Sequence, residues 1–297
     1  NIGRLKVFLS CISLSLFIVV IYGFMQAFLG IGLTSEQIVW TDGAMFPGLK
    51  TRVFSTWQNP NLLGGYFDLM LGLMAGMFLL IKHKIVRIVI AILFCLTAFC
   101  LTLTYARGAC LSIALVIFVY SILYNRKVLL ALIGLAVILL LSDATLVDRM
   151  TSIFTKMDTS SEMRLAFWES TIAMILDHPL LGIGWGPYFM VYPNYDYYMQ
   201  GNFIKIVHAH NMYLNFMAEI GLFGFASYMV CFFGVIYKAF KAQVMKLDIL
   251  VKAMFLGIGL GLSALALNGF TDYVMFNTEL SMLVWLFSGI VVSGYKN

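Results

Sequence analysis

Between residues 88 and 124 this chain carries one charged side chain, Arg107, in 37 positions. An α-helix crosses the hydrocarbon core of a bilayer in about 20 residues. The run is therefore too long for one straight span and too apolar to be left in water. It must double back, and the joint falls at Tyr105–Gly108, which puts Arg107 at membrane level. The rest of the chain agrees, with 62% hydrophobic and 11% charged residues and a mean hydropathy of +0.94. Soluble domains hold about 25% charged residues, so a soluble enzyme, a disordered chain and a disulfide-stapled secreted domain are all excluded. The net charge of +5 comes from basic residues lying between apolar segments. No basic run is interleaved with aromatics, so nucleic acid is not an expected partner. Cys11, Cys95, Cys100, Cys110 and Cys231 sit inside apolar runs without metal-ligand spacing, which supports neither disulfides nor zinc.

The expected fold class is an all-α polytopic membrane protein, with 1–297 a single membrane domain. Eight spans are read at about 7–29, 62–81, 86–105, 109–124, 128–142, 211–237, 249–267 and 279–295. Alternate loops hold Arg4 and Lys6, then Lys82, Lys84 and Arg87, then Arg126 and Lys127, then Lys238, Lys241, Lys246 and Lys252, and finally Lys296. These are 12 of the 19 basic residues, accompanied by one acid, Asp248. By the positive-inside bias that side, with both chain ends, is cytoplasmic. The opposite side carries two long loops, about 30–61 and 143–210, and two short ones, around Arg107 and at 268–278. It also carries nearly everything chemically unusual. No Gly-rich phosphate loop is present, so any chemistry faces outward. The chain opens on Asn1, and its true N-terminus is expected to lie further upstream.

Within the large outer loop, Thr159 and Glu162 have capping-box spacing at a helix start. Leu165, Trp168, Ile172, Ile175 and Leu176 then recur at helical spacing up to Pro179. This predicts an amphipathic helix on the outer membrane face, with Arg164 one turn from Trp168 and able to stack on its indole. The helix serves either as a plain interfacial anchor or as part of a site. Gly182-Ile-Gly-Trp-Gly-Pro187 follows, a backbone able to bend closely around something, or simply a turn. His208-Ala-His210-Asn211 comes directly before a span. A histidine there can take a proton from an attacking hydroxyl or rest as an interfacial side chain bonded to a carbonyl. Two histidines lack the further ligands a metal site wants. An arginine at membrane depth costs about 2.5–3.5 kcal/mol on insertion scales. Arg107 is therefore an oxyanion clamp or a topology marker reaching for headgroups. Arg52 is weaker evidence. Asp68, Glu219 and Asp272 could each pair with an outer arginine or orient the histidine, a structural ion pair being the plainer role. Arginines, a histidine and carboxylates around a membrane-level cavity suit a lipid-linked phosphate or pyrophosphate substrate. They equally suit an anion or lipid-linked sugar transporter, although no internal repeat of the kind transporters show is visible.

His210-Asn211, nine residues (Met212 to Ile220) and Gly221-Leu-Phe-Gly224 resemble the histidine motif of the O-antigen ligase and polymerase superfamily. Phe225 stands where that motif often has Thr or Ser. Arg164-Leu-Ala-Phe-Trp168 with Pro179 and Gly182–Gly186 is similar to the family's large-loop signature. Thr104-Tyr-Ala-Arg107-Gly108 is similar to its membrane arginine motif, and Arg52 through Asn59-Pro-Asn61 to its upstream one. The ordered set spans about 52–273. The resemblance implies a bundle of about a dozen helices, of which this chain lacks roughly the first four. It also implies metal-independent glycosyl transfer, without a cofactor, on the periplasmic face of the bacterial inner membrane. The donor would be a glycan on undecaprenyl pyrophosphate and the acceptor lipid A–core. His210 would deprotonate the acceptor, and Arg107 and Arg164 would hold the pyrophosphate. Arg52, His208, Asp272, Trp168 and Asn211 would support them. Sibling activities share this core: O-antigen polymerase, protein O-oligosaccharyltransferase and teichuronic-type polymer enzymes.

Overall fold

A computed structural model describes residues 2–33, 51–57, 59–124, 130, 133–134, 137–138, 147–148, 151, 159–196, 198 and 205–295. Among the described residues the regular structure is helical. The long helices are α1 (Ile2–Leu29), α2 (Pro60–Leu80), α3 (Lys84–Leu103), α4 (Arg107–Tyr124), α5 (Thr159–Asp177), α7 (Met212–Lys241), α8 (Ile249–Asn268) and α9 (Thr278–Tyr295), with one short helix, α6 (Tyr188–Val191). Six of them, α1, α2, α3, α7, α8 and α9, are long and apolar enough to cross a membrane, and α4 is a shorter apolar helix. Their outward surfaces expose Ile85, Ile88, Val89 and Ile92 on α3, Leu111, Leu115 and Phe118 on α4, and Val230 and Phe233 on α7. Water would not tolerate so wide an apolar surface on a monomer, whereas lipid does. The protein is a polytopic membrane protein. The span read at 128–142 falls mostly outside the described residues.

The centre of the bundle is the α2–α8 pair. Gly72 and Gly76 face Gly257 and Gly261, and a Cβ on any of the four would run into the opposite helix's backbone. Lipid tails are as apolar as leucine, so helices in a membrane associate by close packing, and small residues one turn apart let two backbones approach. α3 and α4 pack against α2, α4 and α7 against α8, α9 against α7 and α8, and α1 against α3. α3 stops at Leu103 and α4 starts at Arg107, where the sequence puts the joint. Tyr105 adopts a left-handed backbone (φ 51°) there, and Ala106 N donates to Thr104 Oγ1 at 3.1 Å.

The sixth predicted span, 211–237, is not one continuous helix. Gly221 (φ 63°, ψ −175°) breaks α7 after two turns. An interrupted helix at membrane depth is tolerated only where its freed backbone groups find partners, and the glycine-rich turn supplies them. Ile183 and Gly184 N–H donate to the Ala218 and Glu219 carbonyls, both at 2.9 Å, and Leu222 N–H donates to the Pro179 carbonyl at 2.9 Å. A Cβ on Gly221 would enter the Leu180 carbonyl, and one on Gly182 the Glu219 backbone. What the Gly182–Gly186 backbone bends around is therefore this break.

α5 begins at Thr159 with Glu162 in its first turn; the Thr159 side chain of the expected capping box lies outside the described residues. The helix meets the protein through Phe167, Ser170, Thr171 and Met174, while Leu165, Ile172 and Leu176 of the anticipated stripe point away and are exposed.

Gly72→Ala or Gly261→Ala should cost about 1–3 kcal/mol through overpacking and lower the melting temperature in detergent. Gly289→Ala, where an added Cβ meets nothing within 4 Å, should leave it unchanged.

Candidate active site

At one end of the bundle the starts of α2, α4 and α7 meet the turn after α8. Asn211 is the N-cap of α7, its Oδ1 accepting from Tyr213 and Leu214 N–H, both at 3.0 Å. Its Nδ2 donates to the Phe270 carbonyl at 3.1 Å, and Met212 N–H donates to the Gly269 carbonyl at 2.7 Å. These bonds lash the histidine segment to the 269–272 turn and bring His210 Nδ1 to 3.0 Å from Asp272 Oδ1. His210 itself is left-handed (φ 48°), a conformation that costs a residue with a Cβ roughly 1–2 kcal/mol. Strain of this kind gathers at functional sites.

Asp272 is buried, and its carboxylate is almost fully subscribed. Oδ1 also accepts from Tyr273 N–H at 2.8 Å, and Oδ2 accepts from Asn61 Nδ2 at 2.6 Å. Asn61 Oδ1 accepts in turn from Arg52 Nη2 at 2.7 Å, and Arg52 Nε donates to the Thr104 carbonyl at 2.8 Å. Arg52 thus reaches the histidine through two intermediaries. Burial alone would raise the Asp272 carboxyl. His210 beside and bonded to it, with Arg164 and His208 behind, holds it well below the usual carboxylate range. An ionised carboxylate only accepts, so Nδ1 of His210 carries the proton and Nε2 of a neutral ring is left to receive one. This is the orienting role that an acid plays behind a general-base histidine.

α5 closes the other side. Phe167 stacks on the His210 ring, centroids 5.8 Å apart at 22°. Arg164, one turn earlier, is near enough for its charge to lower both Asp272 and His208. Its Nε is buried with no hydrogen-bond partner among the described residues, an arrangement suited to an anion that arrives with the substrate. Trp168 is half-buried, and its indole N–H has no hydrogen-bond partner among the described residues. Among the described residues Arg164 does not stack on it, which corrects the anticipated cation–π pair. Arg107 opens α4 beside the cluster, since Gly108 packs against Thr271 and the Asn268 side chain. His208 is buried, its ring 4.2 Å from that of His210 and 4.4 Å from that of Phe276. Burial first, then the His210 and Arg164 charges, push its imidazole down to about 3 against the pull of Asp272.

The other two carboxylates behave differently from the expected ion pairs. Asp68 accepts from Asn268 Nδ2 at 3.1 Å, and Glu219 Oε1 accepts from Gly186 N–H at 3.3 Å, bracing the helix break. Among the described residues neither pairs with an arginine. Sequence reasoning also passed over Asn61, although Asn59-Pro-Asn61 was its visible signal. It passed over Phe167 too, although the quoted Arg164-Leu-Ala-Phe-Trp168 stretch contains it, and Asn215, for which no signal existed.

One cluster could reach a metal. Ligand atoms of His208, His210 and Asp272 lie within 4.8 Å of one another. Fit is poor, because both histidine Nδ1 atoms and the carboxylate already have protein partners and the Arg164 charge opposes a cation.

The family model described as O-antigen ligase matches residues 91–229. The match supports membership of the O-antigen ligase and polymerase superfamily. The matched stretch contains Arg107, Arg164, His208 and His210, to which the fold adds Arg52, Asn61 and Asp272 from outside it. No curated protein and no solved structure matches the chain. Together with the apolar helices, the match supports a multi-pass membrane enzyme of the ligase and polymerase type, a family that implies lipid-linked glycan substrates.

An unfolded histidine takes up a proton near pH 6.5, whereas folded His208 resists protonation down to about 3. Folding therefore expels a proton in that window, and stability falls as the pH drops below about 6.5. The Asp272 contribution stays intact until the pH falls below its ordinary value near 3.9. Melting temperatures in detergent should consequently decline more steeply between pH 7 and 5 for the parent protein than for His208→Asn. Equal slopes would contradict the assignment.

Proposed function

We propose that this protein is an O-antigen ligase-type glycosyltransferase. It would move a glycan from undecaprenyl pyrophosphate to a sugar hydroxyl of lipid A–core on the periplasmic face of the bacterial inner membrane. The observation that carries this is the His210 Nδ1–Asp272 pair, which turns Nε2 to the substrate, near Arg164, whose buried Nε has no hydrogen-bond partner among the described residues. The acceptor hydroxyl gives its proton to His210 Nε2 as its oxygen attacks the anomeric carbon. A new glycosidic bond forms while the bond from that carbon to the pyrophosphate oxygen breaks, and the electron pair leaves with the polyprenyl pyrophosphate. Arg164 and Arg107 neutralise the charge that builds on the leaving group, the kind of preorganised electrostatic help that contributes several kcal/mol in enzymes. A stabilised anionic leaving group needs no general acid. Asp272 orients His210, Arg52 and Asn61 hold Asp272, and Trp168, Asn211 and His208 support the mouth of the site. Neither metal nor cofactor takes part.

In this reading 1–297 is one membrane domain, 143–210 is the large periplasmic loop that delivers Arg164 and His210, and both ends of the chain are cytoplasmic. The positive-inside distribution of lysine and arginine supports that orientation.

The test is the glycolipid profile of a strain lacking the gene, complemented with the parent protein, His210→Ala or Arg164→Ala, each shown to insert normally. Bare lipid A–core, with long glycan retained on the carrier and rescue by the parent only, is the expected result. Core bearing a single repeat unit would make the enzyme a polymerase. An unchanged profile would overturn both. In membranes supplied with donor and acceptor, EDTA should leave transfer undiminished. Loss of transfer that zinc restores would reassign His208, His210 and Asp272 as metal ligands.

A further inference from the structure

His210 is useful as a base only while its backbone holds the left-handed turn that sends its ring back toward Asp272. Something must fix that turn, because the residue carries a Cβ and its N–H lies inside the packed mouth of the bundle. The N–H of His210 finds its acceptor two residues upstream, in the ring of His208, with N···Nδ1 at 3.2 Å. Ala209 N–H, between them, donates to Asn215 Oδ1 at 3.0 Å. Both donors of the turn are thus satisfied by side chains, one from the loop and one from the first turn of α7. The His208 ring is itself clamped, edge-on to Tyr273 with centroids 5.9 Å apart and close to Phe276. It therefore cannot swing away without opening the mouth.

We propose that His208 is a positioning residue whose Nδ1 lone pair, as hydrogen-bond acceptor for the His210 N–H, locks the His210 backbone and so aims its ring. The inference rests on the transfer reaction proposed above. An acceptor at Nδ1 leaves the ring proton on Nε2, and the downward push on its protonation keeps the ring in that neutral form at physiological pH. What His208 supplies is one lone pair at the Nδ1 position. The Oδ1 of an asparagine at 208 falls close to that place on a side chain of the same reach, whereas glutamine carries its oxygen one bond further out, and leucine has no acceptor.

The gene-deletion strain is complemented with the parent protein, His208→Asn, His208→Gln, His208→Leu and His210→Ala. Insertion of each is checked by its yield as a monodisperse peak in detergent, and glycan transfer is read on the lipid A–core gel and as an initial rate in membranes. His208→Asn should keep most of the parent rate. His208→Gln and His208→Leu should lose about 10²-fold, the scale of a misplaced catalytic group, with the loss in kcat and little change in KM. If all three substitutions at 208 fall equally, the imidazole itself is needed and the acceptor role is wrong. If none falls while His210→Ala is dead, His208 does not position the base and the transfer mechanism stands without it. If His210→Ala is active, the catalytic reading itself fails, whatever the 208 variants do.

Discussion

A buried carboxylate is costly unless its lone pairs are taken, and Asp272 has them taken by three different parts of the chain. Asn61 comes from the start of α2, His210 from the segment before α7, and the Tyr273 N–H from its own turn after α8. Moving any of these elements takes one partner from a charge in a low-dielectric environment. The same residue therefore fixes where three helices meet and which way the histidine faces. The left-handed backbone at His210, the Asn211 cap and the Arg52–Asn61 link all follow from keeping that carboxylate satisfied.

Beneath it, the membrane imposes a second rule, that every backbone group be paired. The α2–α8 glycine contact and the break in α7 are two responses. In the first, helices remain whole and glycines let them touch. In the second, a helix is cut and a loop is brought in to pair the cut ends. The loop that does so follows α5, the helix that carries Arg164 and Phe167. Cross-pairing of 179–184 with 218–222 thus brings α5, with Arg164 and Phe167, up to His210. Structure that looks purely architectural places the site.

Much of this was legible in the sequence because hydropathy reports solvent directly. α2, α3, α8 and α9 lie within a few residues of their apolar runs, and Tyr105–Gly108 was forced by length alone. The break at Gly221 was not legible, since an apolar run says nothing of hydrogen bonding and one glycine in a span is ordinary. For α5 the periodic stripe was found but not the face that touches the protein, because Ser170 and Thr171 lie in the middle of that face. Arg107 stood out as a charge where charge is expensive, whereas Arg164 and His210 were picked out by their place in the outer loop and by the family resemblance. Asn61 did not, because its partner lies 211 positions away and a neutral amide carries no cost that flags it. Asp68 and Glu219 show the reverse error, since acids at membrane depth suggested ion pairs and found amides.

The account stands on His210 and Asp272 acting as one unit, and a double-mutant cycle on the transfer rate tests that most directly. Groups that work together are strongly non-additive. The double variant His210→Gln/Asp272→Asn should therefore be no slower than His210→Gln alone, with all three variants inserting at parent levels. If the two losses instead multiply, the residues act independently, and the aspartate is not the partner that orients the base.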